Sequence, residues 1–150
     1  MKVTSTSIDI AAPPAVIYEF AARTARWPLI LPHYRYVRVR QSDGPRCVVE
    51  MAAWRHIFPL RWVAEQINDA QRPHIAFRHI AGPTRGMEVE WLFVPAGDIT
   101  RVTIVHRLDF ALPMLSSVLG RYVVGGYFIA GVAERTLSCM KRVAEAAARR

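Results

Sequence analysis

The clearest alternation of apolar and polar residues in the chain is GPTRGMEVEWLFVP, residues 82–95. There Met87, Val89, Trp91 and Phe93 alternate with Glu88 and Glu90 directly after a Gly-Pro turn. A period of two sends successive side chains to opposite faces, so this stretch predicts a strand with one wet face and one aromatic face. Runs of the same kind, parted by turn-forming residues, predict strands at 3–10, 34–40, 46–54, 58–67, 74–80 and 99–110. In the last of these, Val102, Ile104, His106, Leu108 and Phe110 share one row, apolar except for His106. Arg101 and Arg107 lie on the other row, where they can meet Glu88 or Glu90 of the preceding strand. Within 34–40, Arg35, Val37 and Val39 share one face and Tyr36, Arg38 and Arg40 the other. Within 74–80, Ile75 and Phe77 mark the inner face, which leaves Arg78 outside.

Helical spacing appears in two places. Two alanines and two prolines at 11–14 end the first strand, and AVIYEFAA at 15–22 predicts a short helix. Residues 27–31 make at most another turn before Pro32. In 127–147 a stripe containing Ile129, Val132, Ala133, Thr136, Leu137, Met140 and Ala144 predicts a long amphipathic helix. The order is strand, two short helices, consecutive antiparallel strands, then one long helix. A sheet of about seven strands twists and must curl, and the C-terminal helix is the element able to cover its concave face. The expected fold is α+β, one domain over residues 1–150, without repeats or linkers.

Composition narrows the possibilities. With 52% hydrophobic and 21% charged residues the chain is no disordered polymer. Its net charge of +8 is nearly all arginine, Lys2 and Lys141 being the only lysines. Such a surface suits an acidic partner, but no compact basic motif points to nucleic acid. Cys47 and Cys139 lie far apart and fit a reducing compartment. The first residues lack an apolar signal core, so a cytoplasmic protein is expected. The histidines show no ligand spacing, and no metal or cofactor is expected. Residues 112–133 are long enough to span a bilayer, but Arg121, Ser116 and Ser117 interrupt them. They read as a helix packed on the sheet, with a mobile lid or a membrane-surface contact as further roles.

The stretches IDIAAPPAVIYEFAARTARWPLILPHY (8–34), LRWVAEQI (60–67), GPTRGMEVEWLFVPAGDITRVTIVHRLDF (82–110) and ERTLSCMKRVAE (134–145) together resemble the START/Bet v-like (SRPBCC) superfamily, in its polyketide cyclase/aromatase branch. The resemblance covers nearly the whole chain. It implies a helix-grip fold: a curved antiparallel sheet wrapped around the long helix, enclosing a deep apolar cavity. It further implies that the cavity binds a poly-β-ketone or aromatic intermediate, brought by an acidic acyl carrier protein, and promotes aldol cyclisation and dehydration.

By residue type Trp27, Tyr34, Trp62, Arg78 and Trp91 match the branch's pocket, and the match places Arg78 inside. Departures accompany it. Ala64 and Gln66 stand where those cyclases carry serine and arginine, Ile104 replaces an aromatic residue, and Phe128 and Thr136 replace polar helix residues. The candidate catalytic groups are therefore Arg78 as electrostatic stabiliser, His106 as proton relay and Tyr34 as hydrogen-bond donor. Trp27, Trp62, Gln66, Met87, Trp91, Phe93, Ile104, Phe128 and Thr136 are the candidate substrate-binding residues. The alternative is a non-catalytic carrier of a lipid, quinone or isoprenoid, which the greasier residues at these departures favour. Either version fits a monomer or a homodimer.

Overall fold

The computed structural model describes residues 2–108 and 129–150. Strand β1 (Lys2–Ile10) leads into helix α1 (Pro14–Ala22), a 3-10 turn (Thr24–Arg26) and the short helix α2 (Trp27–Ile30). Six strands follow: β2 (Tyr34–Asp43), β3 (Arg46–Arg55), β4 (Phe58–Asp69), β5 (His74–Ala81), β6 (Glu88–Ala96) and β7 (Ile99–Leu108). Helix α3 (Ala130–Ala148) ends the chain.

The strands form a seven-stranded antiparallel sheet in the order β1-β7-β6-β5-β4-β3-β2. Each hairpin joins sequence neighbours, and β1 closes against β7, so β1 and β2 are the edges. Register slips in β2 and between β4 and β5 add local bend. This is the expected helix-grip architecture, an antiparallel sheet with a long C-terminal helix.

Alternation decides which side chains meet the helix. Met51, Trp62, Phe77, Val89, Trp91, Val102 and Ile104 are buried on the inner face, as are Leu137, Met140 and Ala144 of α3. Opposite them the outer face is a lattice of charge. Glu90 pairs with Arg107 and with His74, while Arg101 turns the other way, to Asp9 of β1 at 2.9 Å. Glu50 collects the Tyr36 hydroxyl at 2.7 Å and Arg40 at 2.6 Å.

Polar contacts pin α3 across the sheet. Lys141 Nζ donates to the Asp9 carbonyl at 2.7 Å, and the Ala11 amide donates to Glu145 at 2.8 Å. The helix is thereby tied to the β1–α1 corner at its C-terminal half. Its other half, with Ile129, Val132, Ala133 and Thr136, stands over the mouth of the curled sheet. Among the described residues no helix is long and apolar enough to cross a membrane. Of the stretch 112–133, residues 112–128 lie outside the described residues, and so does Phe128.

Candidate functional site

Between α3 and the inner face of the sheet lies a cavity of about 70 Å³. Its walls come from α2, from the inner rows of β2 to β7 and from the start of α3. They include Trp27, Tyr34, Trp62, Met87, Trp91, Ile104, His106 and Thr136, eight of the residues expected from the sequence. Three tryptophans, a tyrosine and a phenylalanine form a continuous aromatic lining. Trp27 sits at its centre, 5.1 Å from the Tyr34 ring, 5.7 Å from Trp91 and 6.2 Å from Phe77. The Tyr34 contact is edge-on, an arrangement that ring quadrupoles prefer, and the other two rings are tilted against Trp27. Trp27 is fixed further by its indole N–H, which donates to the Phe20 carbonyl at 3.3 Å.

Tyr34 reaches the cavity through an irregularity in β2. Strict alternation would group it with Tyr36 and Arg38, on the face that meets Glu50. The register slips between Tyr34 and Tyr36, and the extra residue turns Tyr34 inward. Burial raises its phenol above the ordinary value, and a hydrogen bond to Thr136 works weakly against that shift. Tyr34 therefore remains a neutral O–H donor at physiological pH.

His106 stands on the inner row of β7, opposite Val89 on one side and Thr4 on the other. It is half-buried, lines the cavity, and is held down to about pKa 4 by burial, so the imidazole is neutral near pH 7.

Three expected site residues belong elsewhere. Arg78 is exposed on the outer face of β5, beside Glu65 and Glu88 of the neighbouring strands, and does not line the cavity. The alternation of Ile75 and Phe77 decides its placement, against the position implied by the resemblance. Gln66 is fully buried but points beneath α1 and the 3-10 turn. It accepts from the Thr24 hydroxyl at 2.7 Å and donates to the Ala22 carbonyl at 2.8 Å and to Asn68 at 2.9 Å. Its amide is a structural strut for the α1–α2 corner. Phe93 is on the inner face, but it packs edge-on against Tyr18 at 6.0 Å, in the core beyond the cavity.

The residue that takes the inward position beside Arg78 is His79. It lines the cavity, lies flat against Trp62 with ring centres 5.6 Å apart, and shares a 2.6 Å hydrogen bond between Nδ1 and the Thr84 hydroxyl. Ala64, opposite it on β4, leaves room for the ring. Burial, and secondarily His106 nearby, lower its pKa to about 3. The signal was present in the strand pattern, since residue 79 shares parity with Ile75 and Phe77. Thr84 carried no such signal. It is brought home by the β5–β6 turn, where Gly82 (φ 106°) packs so close that a Cβ would lie 2.8 Å from the Arg61 carbonyl oxygen. His33, also absent from the expected set, is buried behind Tyr34 and bonds Thr136 at 2.8 Å.

No arginine, lysine or carboxylate is among the described residues that line the cavity. What the site offers chemically is a flat aromatic slot, two neutral imidazoles, a phenol and two threonine hydroxyls.

Comparison with known proteins adds the family. The model described as "Polyketide cyclase / dehydrase and lipid transport" matches residues 10–124. The chain belongs to that family. It is similar to the granaticin polyketide synthase bifunctional cyclase/dehydratase of Streptomyces violaceoruber, 29% identical over 108 residues, covering 70% of this chain and 33% of the relative. The chain thus spans about a third of that relative's length. Among solved structures it resembles TTHA0849 from Thermus thermophilus, with TM-score 0.83 and 23% identity over 97% of this chain and 99% of the other. It also resembles Zhui aromatase/cyclase from Streptomyces sp. R1128, with TM-score 0.81 and 18% identity over 96% and 93%. At those identities the structural likeness speaks for the fold.

Proposed function

We propose that the protein binds a poly-β-ketone or the aromatic ring formed from it and promotes aldol cyclisation followed by loss of water. The observation that carries this reading is the cavity: an aromatic slot in a cyclase/dehydrase-family fold, with His106 and Tyr34 both reaching it.

In this chemistry a methylene between two carbonyls loses a proton, the carbanion attacks a second carbonyl of the same chain, and the resulting hydroxyl departs as water. Neutral His106 is suited to take the first methylene proton and return it to the alkoxide, then to take the second proton of that carbon and pass it to the departing hydroxyl, so that the new carbon–carbon bond becomes a double bond and one water leaves. Tyr34 is suited to donate a hydrogen bond to the carbonyl under attack, whose oxygen gains negative charge. With no cation among the described residues of the slot, stabilisation falls to neutral donors. The tryptophans hold the chain flat in the fold that leads to one ring. A cavity of about 70 Å³ is smaller than the ~150 Å³ void that admits benzene. Entry therefore needs wall residues to yield, and the flexible side chains of Met51 and Met87 are suited to that.

The uncharged lining also supports a second reading, a carrier of a lipid, quinone or isoprenoid. Supplying the purified protein to a carrier-bound poly-β-ketone separates the two. A cyclase yields one dehydrated ring product in place of the spontaneous mixture, whereas an unchanged mixture would leave the carrier reading.

A further inference from the structure

Beside the cavity, between the start of α3, the β3–β4 turn and the loop before β2, lies a groove of about 540 Å³. Its lining includes His33, Trp54, Arg55, His56, Gly131 and Arg135. Its character is the reverse of the cavity's. Two guanidiniums, charged at every physiological pH, and two imidazoles face it, whereas the cavity lining carries no formal charge among the described residues.

The two spaces adjoin at a hydrogen-bonded pair. His33 lines the groove, Thr136 lines the cavity, and the Nε2 of the first meets the hydroxyl of the second at 2.8 Å. The other ring nitrogen of His33, Nδ1, is buried and makes no hydrogen bond among the described residues, although the residue is only 5% exposed. Gly131 shapes the groove from the helix side. A Cβ there would collide with the Arg55 guanidinium, so the missing side chain is what seats Arg55 against α3. Arg135, one turn further along, is exposed and close enough to His33 to disfavour its protonation.

We propose that cavity and groove are two halves of one site for an amphiphilic acid, whose neutral ring occupies the cavity and whose anionic end rests in the groove on Arg135 and Arg55. A charge cannot be carried into the apolar slot without heavy loss of hydration, so a ligand with an ionised group must leave that group outside. The groove is the adjoining place where it meets cations. The anion is a carboxylate of the ligand itself or a phosphate on the arm of a carrier. The proposal rests on the reading of the cavity as the ligand site.

The test compares 3-phenylpropanoate with its neutral isostere 3-phenylpropanamide, following the cavity tryptophans by fluorescence, with pantetheine 4′-phosphate as a third probe. The acid is expected to bind about tenfold more tightly than the amide at low salt, the worth of one charge-assisted contact. High salt shrinks that advantage. Arg135→Gln, an exposed change whose folding circular dichroism verifies, abolishes it and leaves amide binding as it was. Gly131→Ala, which unseats Arg55, weakens the acid selectively. If the acid shows no preference but pantetheine 4′-phosphate binds in an Arg135-dependent way, the groove stands as an anion site and the carrier arm is its source. If the amide binds, the acid gains nothing and the phosphate shows no Arg135 dependence, the groove proposal is overturned while the cavity reading survives. Failure of both phenyl probes to bind would overturn the cavity reading itself.

Discussion

Gln66 and Arg78 separate what a residue's type suggests from what its surroundings allow. The amide of Gln66 satisfies the Thr24 hydroxyl and the Ala22 carbonyl in a dry corner. Gln66→Leu keeps most of the volume and strands both, at about 1–3 kcal/mol for each buried group left unpaired. Urea unfolding is expected to show a loss of about 2–4 kcal/mol, with ring-ligand affinity of the folded fraction unchanged. Arg78→Gln, on the exposed outer face, is expected to shift stability by less than about 0.5 kcal/mol and leave the product pattern alone. A product change with Arg78→Gln would restore it to the site. Strand parity already placed Arg78 outside, and the same parity carries the inward position of His79. Gln66 was not legible in this way, because parity correctly turns it inward and only the position of α1 and the 3-10 turn decides that it meets a corner instead of a ligand.

At the level of elements, turns and bulges do what periodicity cannot express. The slip that brings Tyr34 inward depends on which β3 residue it opposes, and no local pattern in 34–40 announces it. The β5–β6 turn was legible as a turn from its Gly-Pro pair, yet its consequence was not. It folds Thr84 onto His79 and presses Gly82 against the backbone of Trp62. Gly82→Ala adds a side chain to a backbone with φ 106° and brings it against Arg61 and Trp62. A cost of about 1–3 kcal/mol is expected, together with a changed fluorescence of Trp62, which the turn holds in place. Unchanged unfolding and fluorescence would mean that this turn does not position the wall. The strands themselves fell within a few residues of their expected bounds, since a half-buried sheet writes its alternation directly into the sequence.

Over the whole molecule, the order of elements was enough to foresee a curled sheet gripping a helix, because a long antiparallel sheet must bury one face and a single helix was available to do it. Buried His33 and His79 and half-buried His106 give this fold a pH signature. His33, His79 and His106 are held to about 4, 3 and 4 by burial, against an ordinary value of 6.5. The unfolded chain therefore binds more protons than the folded one below 6.5, so their contribution is complete above that pH and is lost as pH falls toward 4. The melting temperature is expected to begin dropping near pH 6.5. That precedes the range in which Asp9, Glu50, Glu90 and Glu145, all held below their ordinary values, take up protons. A melting temperature flat down to about pH 4.5 would show that these imidazoles are not buried neutral.

The most direct measurement pairs binding with turnover in the double variant His106→Asn, Tyr34→Phe. Ring-ligand affinity is read from tryptophan fluorescence, and the dehydrated ring product from a carrier-bound poly-β-ketone is quantified beside wild type. Affinity is expected to stay within a few-fold, while product formation falls by about 10²–10⁴-fold, the usual worth of positioned acid–base groups. Undiminished product from a variant that still binds would contradict catalysis by these two residues, leaving the aromatic slot to act by shape alone.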